Sequence, residues 1–314
     1  MSPIQVARIA LAALSAMVLS MPAHSQLFRS YLASDGSDAN PCTLPLPCRL
    51  LPKALTTVAD GGEIWMLDSA NFNAAQVDVT KSVTILAVPG ALGSVVAVAG
   101  RALNIATPGV KVTLRNLVIV PLPGAGGTGG IYMTDGSRLV VEGCEISGMP
   151  APHEAIHVAA AAEVHVIDSV IRANTTGVYL DNGAIATITT SRLLGNSDVG
   201  VFVNGTSGST RLALSDSTIS STPSTGSVGI FTQADTGATT GVSVVRSTIS
   251  NNSIGILLGS GAGTRTVSVG ASMFSGNGTA LNNVGGGTFE SLGNNLGAQN
   301  GANQSGVITP LAPL

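Results

Sequence analysis

Residues 177–205 read GVYLDNGAIATITTSRLLGNSDVGVFVNG. The stretch opens on Gly177 followed by three strand-forming residues, Val178, Tyr179 and Leu180, and closes on the same pattern at Gly200, Val201, Phe202 and Val203. Between them lies a second motif. A small residue, Ser191, stands two positions before Leu193, and Asn196 stands three positions after that. Self-similarity at a fixed spacing of this size marks a solenoid.

Working outward, the first motif starts at Gly130, Ala155, Gly177, Gly200, Gly229 and Gly255, in steps of 25, 22, 23, 29 and 26 residues, with a weaker copy at Ala102. The second recurs as Cys144/Ile146, Ser169/Ile171, Ser191/Leu193, Ser217/Ile219, Ser247/Ile249 and Ser272/Phe274. Asn174, Asn196, Asn252 and Asn277 complete it, with Thr222 in the remaining place. Two short β-branched segments per repeat, joined by turn-rich links, predict an all-β chain folded as a parallel β-helix. Each repeat is one coil of about 22–29 residues, and equivalent residues of successive coils stack at roughly 4.8 Å. The Leu-x-x-Leu-x-Leu consensus of the rival leucine-rich solenoid is missing. Stacked Asn side chains are expected to bond to each other and to turn backbone. Cys144 shares its column with five Ser residues and reads as a small stacked residue, not a nucleophile.

The ends differ from the coils. Residues 1–25 carry one positive charge, Arg8, an apolar run from Ile9 to Leu19, then Pro22 and Ala23-His24-Ser25. This is the pattern of a secretory signal peptide cut after Ser25. The run is too short to span a bilayer, which needs roughly 20 residues, so the mature chain is expected to be secreted or periplasmic without a membrane span. Residues 26–60 are expected to form an N-terminal cap. Within it, Cys42 and Cys48 lie six residues apart among three prolines. No nearby His or Cys completes a metal site, so a disulfide loop is expected in an oxidising compartment. A short capping helix is predicted with Leu51, Leu55 and Val58 on one face, ending at Gly61-Gly62. The coils are assigned to residues 61–287 and an irregular closure to 288–314.

Composition narrows the function classes. The 314 residues include 39 Gly, 14 basic and 17 acidic residues, and 44% are apolar. Fourteen scattered cations make no basic face for nucleic acid. Scarce Glu, Lys and Leu exclude long-helix proteins, and the apolar fraction excludes simple disorder.

The coil pattern over roughly residues 60–285 resembles the right-handed, single-stranded parallel β-helix of the pectate-lyase-like superfamily. The stretch SDGSDANPCTLPLPCRLLPKALTTVADGGEIWMLDS, residues 34–69, resembles secreted bacterial proteins that pair a Cys-containing cap with such a helix and have largely unassigned function. The resemblance implies binding or turnover of polysaccharide on one sheet face. No paired Asp motif with a neighbouring Gly-His-Gly is found, and no Asp cluster with a partnering Arg or Lys for calcium. No catalytic residue is therefore carried over, and no cofactor or metal is expected.

The first and third strand residues after each small residue are almost wholly apolar and are expected to face the core. Side chains alternate along a strand, so the middle residue faces out. That column is Tyr132, His157, Tyr179, Phe202, Phe231 and Leu257, and it holds four of the ten aromatic residues of the chain. An outward line of rings suggests a binding platform for sugar rings or another flat ligand, with Asp135, Asp181, Asn182, Asn204 and Asp235 near the strand ends supplying hydrogen bonds. The same line would equally serve as a surface covered by a loop or tail, as an oligomer contact, or as cross-strand stacking alone. The leading expectation is non-enzymatic recognition of polysaccharide or cell-envelope material. The alternative is a lyase or hydrolase using Asp135, Asp181 or His157. Asp135 and Asp181 lie two coils apart, about 10 Å, which is too far for the paired carboxylates of a glycosidase. His157 and His165 fall on different segments and make no metal site. The Gly-rich runs Gly124–Gly130 and Gly259–Gly263 open no helix and read as loops.

Overall fold

Each repeat contributes three short strands, and equivalent strands of successive coils pair in parallel. The computed structural model describes residues 26–221 and 226–312, so residues 1–25 and Thr222 lie outside the described residues. Among the described residues there are three sheets. A twelve-stranded sheet runs from Leu27–Leu32 to Thr309–Pro310. A ten-stranded sheet runs from Val77–Asp78 to Ala302–Ser305 and carries the aromatic line; it is called the ring sheet below. The third, also ten-stranded, runs from Ala70–Asn71 to Leu296–Ala298 and is built of short strands. The chain is thus a parallel β-solenoid of about ten coils.

The core follows from alternation. Ile131, Ile156, Val178, Val201, Ile230 and Ile256 are fully buried in one inward column. Met133, Val158, Leu180, Val203, Thr232 and Leu258 are fully buried in the next. Thr232 is the polar exception, and its hydroxyl meets that of Thr240 at 2.8 Å. The small residue before each strand has a steric cause. A Cβ on Gly200 would stand 2.5 Å from the Gly229 carbonyl oxygen of the next coil, so backbone would have to move.

The two corners flanking the short-strand sheet explain the Ser and Asn columns. Asp168, Thr190, Asp216, Arg246 and Ala271 have φ between 47° and 51°. Each precedes a Ser of the column. Ala173, Gly195, Asn251 and Gly276 are left-handed too, and each precedes an Asn. Left-handed backbone is costly for a residue with a Cβ, and it turns peptide groups out of the strand ladders. The following side chain recovers them. Ser169 Oγ accepts from the Cys144 N–H at 3.2 Å, Ser191 Oγ from Ser169 N–H at 3.2 Å, and Ser217 Oγ from Ser191 N–H at 3.1 Å. The relay continues through Ser247 and Ser272. Asn196 Oδ1 accepts from the Asn174 N–H at 3.1 Å and from its side-chain amide at 3.0 Å, and Asn277 does the same for Asn252. Cys144 accepts the Leu117 N–H at 3.5 Å. Burial pushes its thiol up to about 11, so it stays protonated as a structural residue.

Two boundaries differ from the sequence reading. The N-terminal helix spans Leu51–Thr57 and buries Leu51, Ala54 and Leu55. It stops before Gly61-Gly62, which lie within the strand Val58–Met66 that pairs with Leu27–Leu32. The cap is therefore the first coil of the twelve-stranded sheet, pinned by the Cys42–Cys48 disulfide. At the other end, residues 288–310 are not irregular. Strands Thr288–Ser291, Leu296–Ala298, Ala302–Ser305 and Thr309–Pro310 extend all three sheets. The ladders reach Asn295 and Asn300, which accept from Ser272 and Asn277. This coil has few aliphatic residues, because beyond Phe289 its residues are mostly half-buried or exposed.

Replacing Cys144 with Ser is expected to change unfolding free energy by less than about 1 kcal/mol, whereas Ser217→Ala, which strands the buried Ser191 N–H, is expected to cost about 1–3 kcal/mol. Urea unfolding measures both, and equal costs would contradict the ladder's role.

Candidate binding face

The register places the outward residues in one line across the ring sheet. Asn104 pairs with Tyr132, then His157, Tyr179, Phe202, Phe231, Leu257 and Asn282 follow in order. All five rings are half-buried. Their orientation is the main finding. His157 and Tyr179 stack at 4.3 Å between centroids and 9° between planes. Tyr179 and Phe202 stack at 4.7 Å and 15°, and Phe202 and Phe231 at 4.8 Å and 6°. Tyr132 meets His157 at 5.0 Å with a tilt of 53°. The spacing matches the inter-strand distance, so ring faces meet ring faces and edges point outward. Such pairs contribute about 0.5–1.5 kcal/mol each. The rings therefore do not lie flat as a platform.

Both ends of the stack have a neighbour. The Arg101 guanidinium lies 4.5 Å from the Tyr132 ring centroid and pairs with Glu154 at 3.0 Å. Arg101 and Glu154 belong to coils two apart, and Gly129 stands between them. A Cβ there would lie 2.7 Å from the Arg101 guanidinium, so the missing side chain is what lets the arginine cross. At the other end, Leu257 follows Phe231 in the line, and Gly259 stands beside the ring. A Cβ on Gly259 would stand 2.5 Å from that ring. Buried Arg265 fixes this turn by donating to the carbonyls of Gly259, Gly263 and Gly285.

The polar groups divide into two sets. Asp135 and Asp181 serve their turns. Asp135 accepts from the Gly136 N–H at 2.7 Å. Asp181 is buried and accepts from the Asn182 N–H and from both the N–H and hydroxyl of Thr206. Asn182 Oδ1 takes the Ser207 hydroxyl at 3.1 Å and lies 2.6 Å from the Thr206 hydroxyl oxygen. A second set runs beside the rings. Asn204 donates to the Tyr179 hydroxyl at 2.9 Å, and Gln233 donates to Asn204 Oδ1 at 3.2 Å. Burial raises the Tyr179 phenol above its ordinary value. The His157 Nδ1 lies 3.7 Å from Glu154 and has no hydrogen-bond partner. Burial pushes the Glu154 carboxyl up, but His157 and Arg101 together outweigh that and hold it at about 2.

The structure brings Tyr132, His157, Tyr179, Phe202 and Phe231 into one column and leaves Asp135 and Asp181 in turns beyond it. Arg101, Glu154 and Gln233 escape the sequence reading. The first two occupy the position before each small residue, where residue type varies from Arg and Glu to Gly, Thr, Val and Ile. Their signal is opposite charge two coils apart with a glycine between. His165 sits on the twelve-stranded sheet against Thr187 at 2.6 Å. Among the described residues no three His, Cys, Asp or Glu side chains converge as metal ligands.

A family model described as "Right handed beta helix region" matches residues 103–296. The chain belongs to this right-handed β-helix family. Among solved structures, the pectate lyase Pel9A is similar with a TM-score of 0.69 and 14% identity, over 90% of this chain and 79% of that one. XylC in complex with xylose is similar with a TM-score of 0.54 and 9% identity, over 90% and 70%. An alginate lyase from a Paenibacillus strain is similar with a TM-score of 0.51 and 11% identity, over 91% and 99%. These likenesses show the fold, a right-handed parallel β-helix. No curated protein matches the chain.

The Glu154 carboxyl sits below its ordinary value of 4.5 in the folded state. Its contribution to stability is complete above that value and is lost as pH falls towards about 2. Unfolding free energy is expected to fall through this window in the wild type and less steeply in Glu154→Gln. Equal slopes in urea titrations at several pH values would contradict the Arg101–Glu154–His157 geometry.

Proposed function

We propose that the protein is exported and binds polysaccharide along the ring column without cleaving it. One observation carries this reading. A continuous column of half-buried rings crosses five coils, with its edges outward and the Tyr179–Asn204–Gln233 chain of polar groups beside it. Stacking alone accounts for the rings but gives no reason for a parallel line of amides. A site that mixes apolar surface with a few placed polar groups suits a sugar chain. Similar folds in a pectate lyase, an alginate lyase and a complex with xylose support a saccharide ligand. Export is supported by the leader-like residues 1–25 and the Cys42–Cys48 disulfide. No helix among the described residues is long and apolar enough to cross a membrane.

Binding is favoured over cleavage because the candidate carboxylates are already occupied. Asp135 and Asp181 accept turn hydrogens, and Glu154 is held ionised between Arg101 and His157. The second reading is cleavage with His157, in the ring column beside Glu154, as the proton-transferring base.

Retention of the protein on a panel of immobilised polysaccharides, with assays for new reducing ends and unsaturated products, separates the two. Retention without products is expected. Tyr179→Ala combined with Phe202→Ala is expected to weaken retention at least tenfold while circular dichroism stays unchanged, and Gln233→Ala to weaken it several-fold. Unaltered retention in the folded double variant would remove the ring column from the site, and products lost in His157→Ala would establish cleavage.

A further inference from the structure

The charge distribution around the ring column bears on which polysaccharide it takes, and the inference rests on the binding reading above. Residues 129–137, 154–162, 176–184, 199–208 and 228–238 contain the ring-sheet strands from Tyr132 to Phe231 and the turns that follow them. None of these segments contains a Lys or Arg. The turns that lead into these strands, 121–128, 148–153, 173–175 and 195–198, contain none either. The same stretch carries five acids: Asp135, Glu154, Asp181, Asp198 and Asp235. Asp198 and Asp235 are exposed. The cation that reaches this face from an earlier coil, Arg101, is spent on Glu154 at 3.0 Å and on the face of Tyr132. The twelve-stranded sheet differs, with Arg29, Lys111, Arg115, Arg138 and Arg211 on its strands.

A polyuronate brings one carboxylate with each sugar unit. Laid along this column it would meet fixed acids with no free cation to pair with, and like charges across an interface are strongly unfavourable. The other features of the face suit oxygen atoms without charge. Ring edges carry the positive end of the aromatic quadrupole, and here the edges, not the faces, point outward. They favour hydroxyl and ring oxygens. The amides of Asn204 and Gln233 both donate and accept, as hydroxyl groups do.

We infer that the ring column takes an uncharged glycan and rejects polyuronates. Affinity electrophoresis of the full chain tests this, in native gels containing hydroxyethyl cellulose, arabinoxylan or galactomannan, and in parallel gels containing polygalacturonate or alginate, with calcium or with a chelator. Retardation by at least one uncharged glycan is expected, with none by either polyuronate under either condition. The variant Asp198→Lys, at an exposed acid, is expected to gain retardation by polygalacturonate while its retardation by the uncharged glycan stays within about twofold. Retardation of the wild type by a polyuronate, with or without calcium, overturns the charge inference and leaves the binding reading standing. A variant that folds but gains no polyuronate binding also overturns it. Absence of retardation by every glycan removes the binding reading and the inference with it.

Discussion

Everything in this molecule depends on the stacking of equivalent residues one coil apart. At about 4.8 Å, a side chain's nearest partner is its counterpart in the next coil. A column must therefore satisfy itself. Aliphatic residues do so by packing inward, where most of the core is fully buried. Ser and Asn do so by accepting the peptide N–H that a left-handed corner turns out of the ladder. Aromatic residues do so by laying face on face. The three kinds of column obey one spacing, and each residue type appears where its own geometry fits that spacing.

The same constraint changes what the ring column can do. In a platform, ring faces await a ligand. Here the faces are used within the protein, the first is covered by Arg101 and the last is followed in the line by Leu257. What remains outward is a row of edges with amides beside it. Edges give weaker apolar contact than faces but a definite polarity, so recognition shifts from hydrophobic stacking towards oxygen atoms. The column is also rigid, since every ring is held by its neighbours. A ligand meeting it loses little to reorganisation of the protein.

Fold and line were legible because alternation and period are sequence properties. The inward columns, Cys144 among the Ser residues and the outward order from Tyr132 to Phe231 all follow from spacing. Ring orientation was not legible, because the same residues could lie flat or stand on edge, and only the side-chain torsions decide. The Arg101–Glu154 pair was hidden for another reason. Its members are 53 residues apart and meet only because Gly129 leaves the intervening coil open. The last coil was hidden by composition: residues 288–310 keep the spacing of the Asn ladder but lack the apolar pattern by which a strand is recognised. The helix end was misplaced because Gly61-Gly62, a natural helix stop, here lies within a strand, where Gly61 takes φ of 77°.

The most direct measurement is a crystal structure of the protein with a bound uncharged oligosaccharide. The sugar is predicted to run across the coils along the outward edges of Tyr179, Phe202 and Phe231, within about 4 Å, with hydroxyl groups meeting Asn204 and Gln233 and the ring stack unbroken. A sugar seated on the twelve-stranded sheet, or sandwiched between rings driven apart, would contradict edge-on recognition by a preformed column.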